Sequence, residues 1–323
     1  MKFIELGKTG IKISKIGIGT WQWGAEEWGY GKSYSENEIR KAFRAIYENE
    51  INFIDTAEMY AGGKSEKFVG ELVKEYGREN FVIATKVSPW HLDEKSLEKA
   101  CLSSIKRLGV KEIDLYQIHW PNPLVPLSKT MKALERLVNS GVIRAIGVSN
   151  FNLRRLSDAR KNLEKTDIAS NQVLYNMLSR SVEADMIPYT QKEKITLIAY
   201  SPLAQGLLTG KINPSYKPKE IVRKINPLFS RSSLKKLEAL NNVLQNVAKS
   251  KGKSVTQVVL SWTIRHSNVV PIPGVKREDQ VKDIAESVNV SLSNEELNAI
   301  ERALKEAKVN RILGYFELIL NFL

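Results

Sequence analysis

The amino-acid sequence predicts an α/β fold in which eight parallel strands close into a (β/α)8, or TIM, barrel. Short apolar runs of the strand type alternate eight times with amphipathic stretches of the helical type. That alternation favours a parallel sheet, and eight units favour closure into a barrel. The open doubly wound alternative needs G-x-G-x-x-G after its first strand, and residues 17–22 lack the third glycine. A chain of 323 residues suits one barrel with insertions, so residues 1–323 are predicted to form a single domain.

The elements are predicted in chain order from the spacing of the apolar residues. Residues 1–15 alternate apolar and polar around Gly7-Lys8-Thr9-Gly10, which predicts a β-hairpin that plugs the barrel floor. Strands are expected at residues 16–21, 52–55, 81–85, 114–118, 143–148, 168–172, 196–199 and 269–272. Helices are expected at residues 36–49, 65–76, 94–108, 128–140, 152–164, 182–192, 234–251 and 255–266, with extra helices at the C-terminal end. Residues 202–229 carry Pro214, Pro218 and Pro227, which indicates a long loop.

Composition limits the possible functions. The single cysteine, Cys101, excludes an internal disulfide, and no apolar signal segment follows Met1, so we expect a cytoplasmic protein without a membrane span. The three histidines, His91, His119 and His266, lack metal-ligand spacing, so no metal site is expected. The formal charge of +13 is spread along the helices, which favours a solvated surface over nucleic-acid binding.

Four polar side chains follow three successive predicted strands. Asp55 and Tyr60 come after the second strand, Lys86 after the third and His119 after the fourth. Each alone is more readily a turn or core residue, but barrel enzymes carry their chemistry at the carboxyl ends of the strands, where these four would meet. An unperturbed phenol has a pKa of about 10, and an ammonium beside it would favour the phenolate and ease proton donation. Asp55 would keep Lys86 charged, and His119 would orient a carbonyl oxygen.

The chain resembles the aldo-keto reductase family from the hairpin to about residue 306. The matching motifs are Ile54-Asp55-Thr56-Ala57-Glu58-Met59-Tyr60, Thr85-Lys86, Gln117-Ile118-His119-Trp120-Pro121, Ile146-Gly147-Val148-Ser149-Asn150-Phe151, Tyr200-Ser201-Pro202-Leu203 and Pro271-Ile272-Pro273-Gly274. The resemblance implies an oxidoreductase that reduces aldehydes or ketones to alcohols. It implies a catalytic tetrad of Asp55, Tyr60, Lys86 and His119, with Tyr60 as the general acid. It also implies a nicotinamide cofactor bound without a Rossmann fold.

The resemblance further implies which residues contact the cofactor. Ser149, Asn150 and Gln172 match positions that bond the nicotinamide carboxamide, and Tyr200 matches the ring that stacks on nicotinamide. Residues 200–233 match a loop that closes over the cofactor, with Ser201, Leu203, Gln205 and Gly206 at the pyrophosphate. Thr20, Trp21 and Gly274 also match cofactor positions, and Lys276, Arg277, Gln280 and Asp283 lie in the adenosine segment. Two cations just after a strand suit a ribose 2′-phosphate, so NADPH is favoured over NADH.

The substrate pocket is predicted to have aromatic walls from Trp21, Trp23, Tyr30, Trp90 and Trp120, which suits apolar or aromatic small-molecule carbonyls. Two other functions use the same residues: a non-catalytic, nicotinamide-binding regulatory subunit, and a barrel lyase that forms a Schiff base through Lys86. The intact tetrad counts against the regulatory subunit. Residues 307–323 form an apolar tail, for which packing on the barrel is the simplest prediction. Covering the pocket and burial in a neighbouring subunit are alternatives, and both a monomer and a homo-oligomer fit the sequence.

Overall fold

A computed structural model describes residues 1–307 of the chain, and it has the predicted barrel architecture. A small antiparallel sheet precedes a sheet of eight parallel strands whose neighbours follow one another in chain order. The hairpin strands are β1 (Phe3–Glu5) and β2 (Lys12–Ser14). The barrel strands are β3 (Ile18–Gly19), β4 (Phe53–Asp55), β5 (Val82–Val87), β6 (Ile113–Ile118), β7 (Ile143–Ser149), β8 (Ile168–Leu174), β9 (Thr196–Tyr200) and β10 (Val269–Pro271).

The barrel closes between its last and first strands through backbone hydrogen bonds. The N–H of Gly17 donates to the carbonyl of Pro271 at 3.0 Å, and that of Gly19 donates to Pro273 at 3.1 Å. Gly17 has no room for a side chain, because a Cβ there would lie 2.5 Å from the ring of Phe53 inside the barrel. Gly17 and Gly19, which do not complete a Rossmann motif, therefore contribute to the closure of the barrel.

The N-terminal hairpin plugs the barrel floor, as predicted. Leu6, Ile11 and Ile13 are buried in one cluster with inward-facing strand residues that include Phe53, Leu115, Ala145, Ile198 and Val270. Alternate residues of each strand face this interior, which is the two-residue period expected of a strand. Burial of the three hairpin side chains holds the plug in place by the hydrophobic effect.

Helices surround the barrel and continue past its last strand. They are α1 (Glu36–Glu48), α2 (Lys64–Glu75), α3 (Glu94–Leu108), α4 (Leu127–Asn139), α5 (Leu153–Lys161), α6 (Met186–Lys192), α7 (Ile221–Lys224), α8 (Arg231–Lys236), α9 (Glu238–Ser250), α10 (Val255–Thr263), α11 (Glu278–Glu286) and α12 (Asn294–Ala307). Within residues 1–307, no helix combines the length and the apolar character needed to cross a membrane.

Three predicted elements differ from the structure. The helix expected at residues 182–192 begins at Met186, because Pro188 lacks an N–H and is tolerated only in a first turn. The helix expected at 234–251 is divided into α8 and α9 at Leu237. The long loop carries α7 and the 3-10 turns Ala204–Thr209 and Pro227–Phe229. The apolar tail predicted after Ala307 lies outside the described residues.

Candidate active site

The carboxyl ends of β4, β5 and β6 bring the four predicted catalytic residues together. Asp55 ends β4, Lys86 lies near the end of β5, and His119 follows β6 directly. The parallel register pairs Asp55 with Ala84, so Lys86 lies two residues further along β5, and its side chain meets Asp55 at the level where β4 ends. Tyr60 reaches this level from the 3-10 turn Tyr60–Gly63 after β4.

The ammonium of Lys86 is buried at the centre of the group. Its Nζ donates to Oδ1 of Asp55 at 2.5 Å, to the carbonyl of Thr56 at 2.8 Å and to Oη of Tyr60 at 3.1 Å. Burial alone lowers the pKa of Lys86, but the carboxylate of Asp55 and the Tyr60 hydroxyl outweigh it, so the pKa is raised above its ordinary value. Lys86 therefore stays charged.

Two glutamines hold the other carboxylate oxygen of Asp55. Nε2 of Gln117 donates to Oδ2 at 3.0 Å, and Nε2 of Gln172 donates to the same atom at 2.8 Å. Gln172 therefore contacts the tetrad as well as lining the cleft in which it was predicted to bond a cofactor. Sequence reasoning missed Gln117, although its position two residues before His119 on one strand indicates the same inward face.

The phenol of Tyr60 is more basic than the sequence argument expected. Burial raises the pKa of Tyr60 and outweighs the lowering by the Lys86 ammonium, while Asp55 adds to the increase. The phenol is thus protonated at neutral pH without a bound ligand. The ammonium lowers this pKa as predicted, but the net shift is upward because burial, which could not be known from the sequence, outweighs it.

His119 is a neutral imidazole in this site. Burial, and then the nearby Lys86 ammonium, hold the pKa of His119 well below its ordinary value. Its Nδ1 is buried and has no hydrogen-bond partner among the described residues. A buried nitrogen lone pair without a partner costs less free energy than a buried N–H without a partner. We therefore place the ring proton of His119 on Nε2. The ring packs edge-on against Tyr60, with centroids 5.6 Å apart.

A cleft of about 900 Å³ lies above these residues and extends to α11. The sequence-predicted residues that line it are Trp21, Asp55, Tyr60, His119, Trp120, Ser149, Asn150, Gln172, Tyr200, Ser201, Leu203, Gln205, Gly206, Gly274, Lys276, Arg277, Gln280 and Asp283. Lys86 lies beneath Tyr60. The lining also includes Gln22, Trp28, Tyr34, Met59, Glu220 and Arg223, which the sequence did not single out because they occupy irregular connections without a period.

The cleft wall beside the tetrad is built from strained backbone. Asn150, Ser201 and Gln205 have φ values of 61°, 50° and 56°, in the left-handed region that residues other than glycine rarely adopt. The hydroxyl of Tyr200 donates to Oδ1 of Asn150 at 3.1 Å, and the hydroxyl of Ser149 donates to the carbonyl of Gln172 at 2.9 Å. These bonds fix the side chains predicted to contact nicotinamide.

The two predicted phosphate-binding cations lie at the other end of the cleft. The Lys276 ammonium donates to the carbonyl of Trp28 at 2.6 Å and lies 4.6 Å from the ring centre of Tyr34. The Arg277 guanidinium is exposed and pairs with Asp279, with Nε 3.0 Å from Oδ1. Oε1 of Gln280 accepts hydrogen bonds from the backbone N–H groups of both cations and so caps α11.

Gly274 permits a close approach of the first βα connection. The carboxamide of Gln22 lies over Gly274, so that a Cβ at this position would be 2.2 Å from Nε2. A side chain at this position would require the Gln22 carboxamide, the end of a flexible side chain, to move. Asp283, the last residue of the predicted adenosine segment, accepts a hydrogen bond from Ser254 at 2.6 Å.

The structure corrects four predicted placements. The hydroxyl of Thr20 is buried between the carbonyl of Asp55 and Ser65, so Thr20 does not line the cleft. Trp23 is a core residue whose Nε1 donates to the carbonyl of Val275, because its ring faces α1 and packs on Phe43. Tyr30 packs on Tyr34 and Phe68 outside the lining. Trp90 also lies outside it, on a surface turn with 64% of its area exposed.

Comparisons with known proteins agree with this geometry. A sequence model described as the Aldo/keto reductase family matches residues 15–305. An uncharacterized oxidoreductase of Mycobacterium bovis is 37% identical over 97% of this chain and 97% of its own. Methylglyoxal reductase YeaE of Escherichia coli is 33% identical over 92% of this chain and 93% of its own. A crystal structure of an aldo/keto reductase from Klebsiella pneumoniae in complex with NADP and acetate is 32% identical, has a TM-score of 0.75, and covers 93% of this chain and 94% of its own.

Proposed function

This chain belongs to the aldo/keto reductase family, and we propose that it reduces aldehydes or ketones to alcohols with NADPH as the hydride donor. The observation that carries the proposal is the hydrogen-bonded chain from Asp55 through Lys86 to Tyr60 at the floor of the cleft, with bonds of 2.5 and 3.1 Å. A relative named as a reductase of a small carbonyl compound and a similar structure that holds NADP give independent support.

The cleft suits a dinucleotide in both size and chemistry. Its volume of about 900 Å³ lies within the range of ligand pockets, which is about 300–1,000 Å³. Asn150 and Tyr200 would hold the nicotinamide beside Tyr60, and Lys276 and Arg277 would bind the 2′-phosphate at the far end. When bound, NADPH supplies a hydride to the carbonyl carbon of the substrate.

Tyr60 donates the proton in this proposal. Its phenol is protonated at neutral pH because burial raises its pKa. As negative charge develops on the carbonyl oxygen, the Oη–H bond breaks and the proton forms the O–H bond of the alcohol. Lys86, with Nζ 3.1 Å from Oη, stabilises the phenolate that remains, and Asp55 keeps Lys86 charged. Solvent reprotonates Tyr60 after the product leaves.

His119 orients the carbonyl group. Its Nε2–H donates to the carbonyl oxygen, because its Nδ1 is buried without a partner in residues 1–307 and its pKa is too low for a second proton at neutral pH. A neutral donor positions the oxygen without competing with Tyr60 for proton transfer. Trp21 stacks on Tyr60 with ring centroids 6.2 Å apart and supplies apolar surface beside it.

The geometry does not favour the alternative functions. Schiff-base chemistry needs a neutral amine that reaches the substrate. The side chain of Lys86 is 0% exposed, donates three hydrogen bonds and has a raised pKa. A purely regulatory role would not require the buried pair of Asp55 and Lys86 to be hydrogen-bonded to Tyr60, whose phenol lines the cleft.

The test compares Tyr60→Phe with Tyr116→Phe. Tyr116 is a matched control because its hydroxyl is buried outside the cleft and has no partner among the described residues. With a carbonyl substrate found by screening aldehydes, ketones and sugars, Tyr60→Phe should lower kcat by about 10²- to 10⁴-fold. Both variants should bind NADPH as the parent does in calorimetry. Near-parental turnover in Tyr60→Phe would rule out Tyr60 as the acid, and a parent that binds no NADPH would remove the proposed cofactor.

A further inference from the structure

Asp55, Gln117 and Gln172 form a closed set of hydrogen bonds at the floor of the cleft. Nε2 of Gln117 donates to Oδ2 of Asp55 at 3.0 Å, and Nε2 of Gln172 donates to the same oxygen at 2.8 Å. Nε2 of Gln172 also donates to Oε1 of Gln117 at 3.2 Å. Both hydrogens on Nε2 of Gln172 are therefore used within this set.

The chemistry of Asp55 decides which end of each amide faces it. Its other oxygen pairs with the Lys86 ammonium, and a carboxylate only accepts hydrogen bonds, so each glutamine must present its N–H2 group to Asp55. If the Gln172 amide were turned by 180°, its oxygen would face two acceptors, Oδ2 of Asp55 and Oε1 of Gln117. The nitrogen of Gln172 therefore faces this pair, and its oxygen faces away from it.

Oε1 of Gln172 is open to the cleft. Gln172 lines the cleft, whereas Gln117 does not. Within residues 1–307, no group donates a hydrogen bond to this oxygen, and it is not one of the unpaired polar atoms that are closed off from solvent. The strand register pairs Gln172 with Ser149, which belongs to the segment predicted to bond nicotinamide. Gln172 therefore offers the cleft an acceptor and no donor.

Gln117 fixes the direction in which this oxygen points. The last torsion of a glutamine side chain is broad, so rotamer preference alone does not hold the plane of its amide. A single bond to Asp55 would leave the Gln172 amide free to turn about that bond. The second bond, to Oε1 of Gln117, fixes the plane because both N–H groups lie in it. Gln117 does not line the cleft, yet it orients the acceptor that the cleft presents.

We propose that Gln117 is a positioning residue for the cofactor, which holds Gln172 so that its Oε1 accepts an N–H of the nicotinamide carboxamide. The inference rests on the proposed function and deepens it, because it identifies the cofactor group that is recognised and the residue that orients the acceptor. The site then favours a pyridine ring whose substituent carries N–H2. A substituent with a methyl group in its place would leave Oε1 of Gln172 unpaired, which costs free energy.

The experiment measures by calorimetry the Kd of NADP+ and of its 3-acetylpyridine analogue, in which methyl replaces only the carboxamide N–H2. The parent should bind the analogue about tenfold more weakly, because one hydrogen bond is lost. Gln117→Met keeps the length of the side chain without a donor or an oxygen acceptor. This variant should weaken NADP+ by about three- to tenfold and leave the Kd of the analogue unchanged, so that the ratio of the two Kd values approaches one.

Two further variants separate this role from a general effect on the fold. Asn268→Leu is the matched control, since Nδ2 of Asn268 also donates two hydrogen bonds, to Thr190 and Ile195, but this residue does not line the cleft. Its ratio of Kd values should equal that of the parent. In Gln172→Met the ratio should be close to one, and the addition of Gln117→Met should not change it further, because Gln117 acts through Gln172.

The outcomes distinguish this proposal from the proposed function. A parental ratio in Gln117→Met overturns the proposal, and so does equal weakening of both dinucleotides, which would assign Gln117 to the fold alone. A parent that binds NADP+ and the analogue equally also overturns it, because Oε1 of Gln172 then does not contact the carboxamide N–H2. A parent that binds neither dinucleotide contradicts the proposed function itself. A tenfold preference that is lost in both Gln117→Met and Gln172→Met supports the assignment.

Discussion

Nζ of Lys86 lies 2.5 Å from Oδ1 of Asp55, and the two side chains are 0% and 1% exposed. Transfer of both charges from water into the barrel costs free energy, which their attraction and the hydrogen bonds to Thr56, Gln117 and Gln172 offset. The pair keeps a full positive charge beneath Tyr60, and its removal should be visible in stability as well as in catalysis.

The first prediction is that Asp55→Asn changes the pH dependence of stability. At neutral pH the variant should lose about 3–5 kcal/mol of unfolding free energy, because Lys86 is left buried without a counterion. In the parent the pKa of Lys86 is raised, so its contribution is complete below the ordinary value of 10.5 and is lost only above the folded-state pKa. In the variant burial is opposed only by Tyr60, so we expect the folded-state pKa of Lys86 to fall below 10.5. The unfolded state then binds the extra proton, and stability rises with pH up to 10.5.

Urea denaturation between pH 7 and 10 without cofactor measures this effect. The deficit of Asp55→Asn should shrink by up to about 1.4 kcal/mol per pH unit. Asp114→Asn is the control, because Asp114 is buried and pairs with Arg78 at 2.5 Å and Arg144 at 2.7 Å. Arginine does not titrate in this range, so the deficit of Asp114→Asn should stay constant. A constant deficit in Asp55→Asn as well would contradict the assigned charge pair.

Sequence periodicity predicted the parts of the fold that repeat. The strands and helices follow from apolar spacing, and Asp55, Lys86 and His119 could be placed at one face because parallel strands end there together. Residues in irregular connections could not be placed in this way, because these connections have no periodic pattern. Trp23 and Trp90 are both aromatic and close to strand ends, yet one is a core residue and the other is exposed. Only the three-dimensional path of each loop decides between these outcomes.

Hydrogen-bond partners and the directions of pKa shifts could be obtained only from the structure. The carbonyl that accepts from Lys276 belongs to Trp28, 248 residues away, and no local pattern relates the two. Gln117 and Gln172 meet at Asp55 because of strand register, which apolar spacing leaves undefined. The direction of the Tyr60 pKa depends on how burial compares with the charge on Lys86, and burial was unknown from the sequence.

The second prediction is that the preference for NADPH over NADH weakens at alkaline pH. Burial lowers the pKa of Lys276 to about 8, so its ammonium is lost as the pH rises through that value. NADPH affinity should then fall by up to about tenfold per pH unit, while NADH affinity is unaffected by this group. Lys276→Ala should weaken NADPH by about ten- to a hundredfold at pH 7 and leave NADH unchanged.

Titrations of both cofactors from pH 7 to 9.5, at low and moderate salt, test this prediction. Lys276→Arg keeps a permanent charge, so its ratio of NADPH to NADH affinity should not change with pH. Arg277→Ala should reduce NADPH affinity alone, and the pH dependence from Lys276 should remain. Moderate salt should reduce the contribution of both cations, because partly exposed pairs with phosphate are screened. A ratio independent of pH in the parent, or equal loss of NADH in Lys276→Ala, would remove Lys276 from the 2′-phosphate site.

The third prediction concerns residues 202–229, the loop predicted to close over the cofactor, and it rests on Arg223. Its Nε donates to the carbonyl of Gln205 at 3.0 Å, and its Nη1 donates to Oη of Tyr216 at 2.9 Å and to Oε2 of Glu220 at 3.2 Å. The guanidinium therefore joins the two ends of the loop. Arg223→Lys replaces a planar fork by a single ammonium that cannot reach all three acceptors.

We expect release of a bound dinucleotide to require this loop to open, so a weaker closed state should act mainly on the dissociation rate. In stopped-flow fluorescence, Arg223→Lys should release both NADPH and NADH on the order of tenfold faster, since loss of one charge-assisted bond has that effect. The melting temperature should change little, because the lost bonds lie within the loop and the barrel core is intact. Arg231→Lys, at an exposed position on α8, should behave as the parent does.

An unchanged release rate would mean that other contacts, such as Val222 on Trp28, hold the loop closed. Faster release of NADPH alone would instead place Arg223 at the 2′-phosphate, because only that group distinguishes the two cofactors.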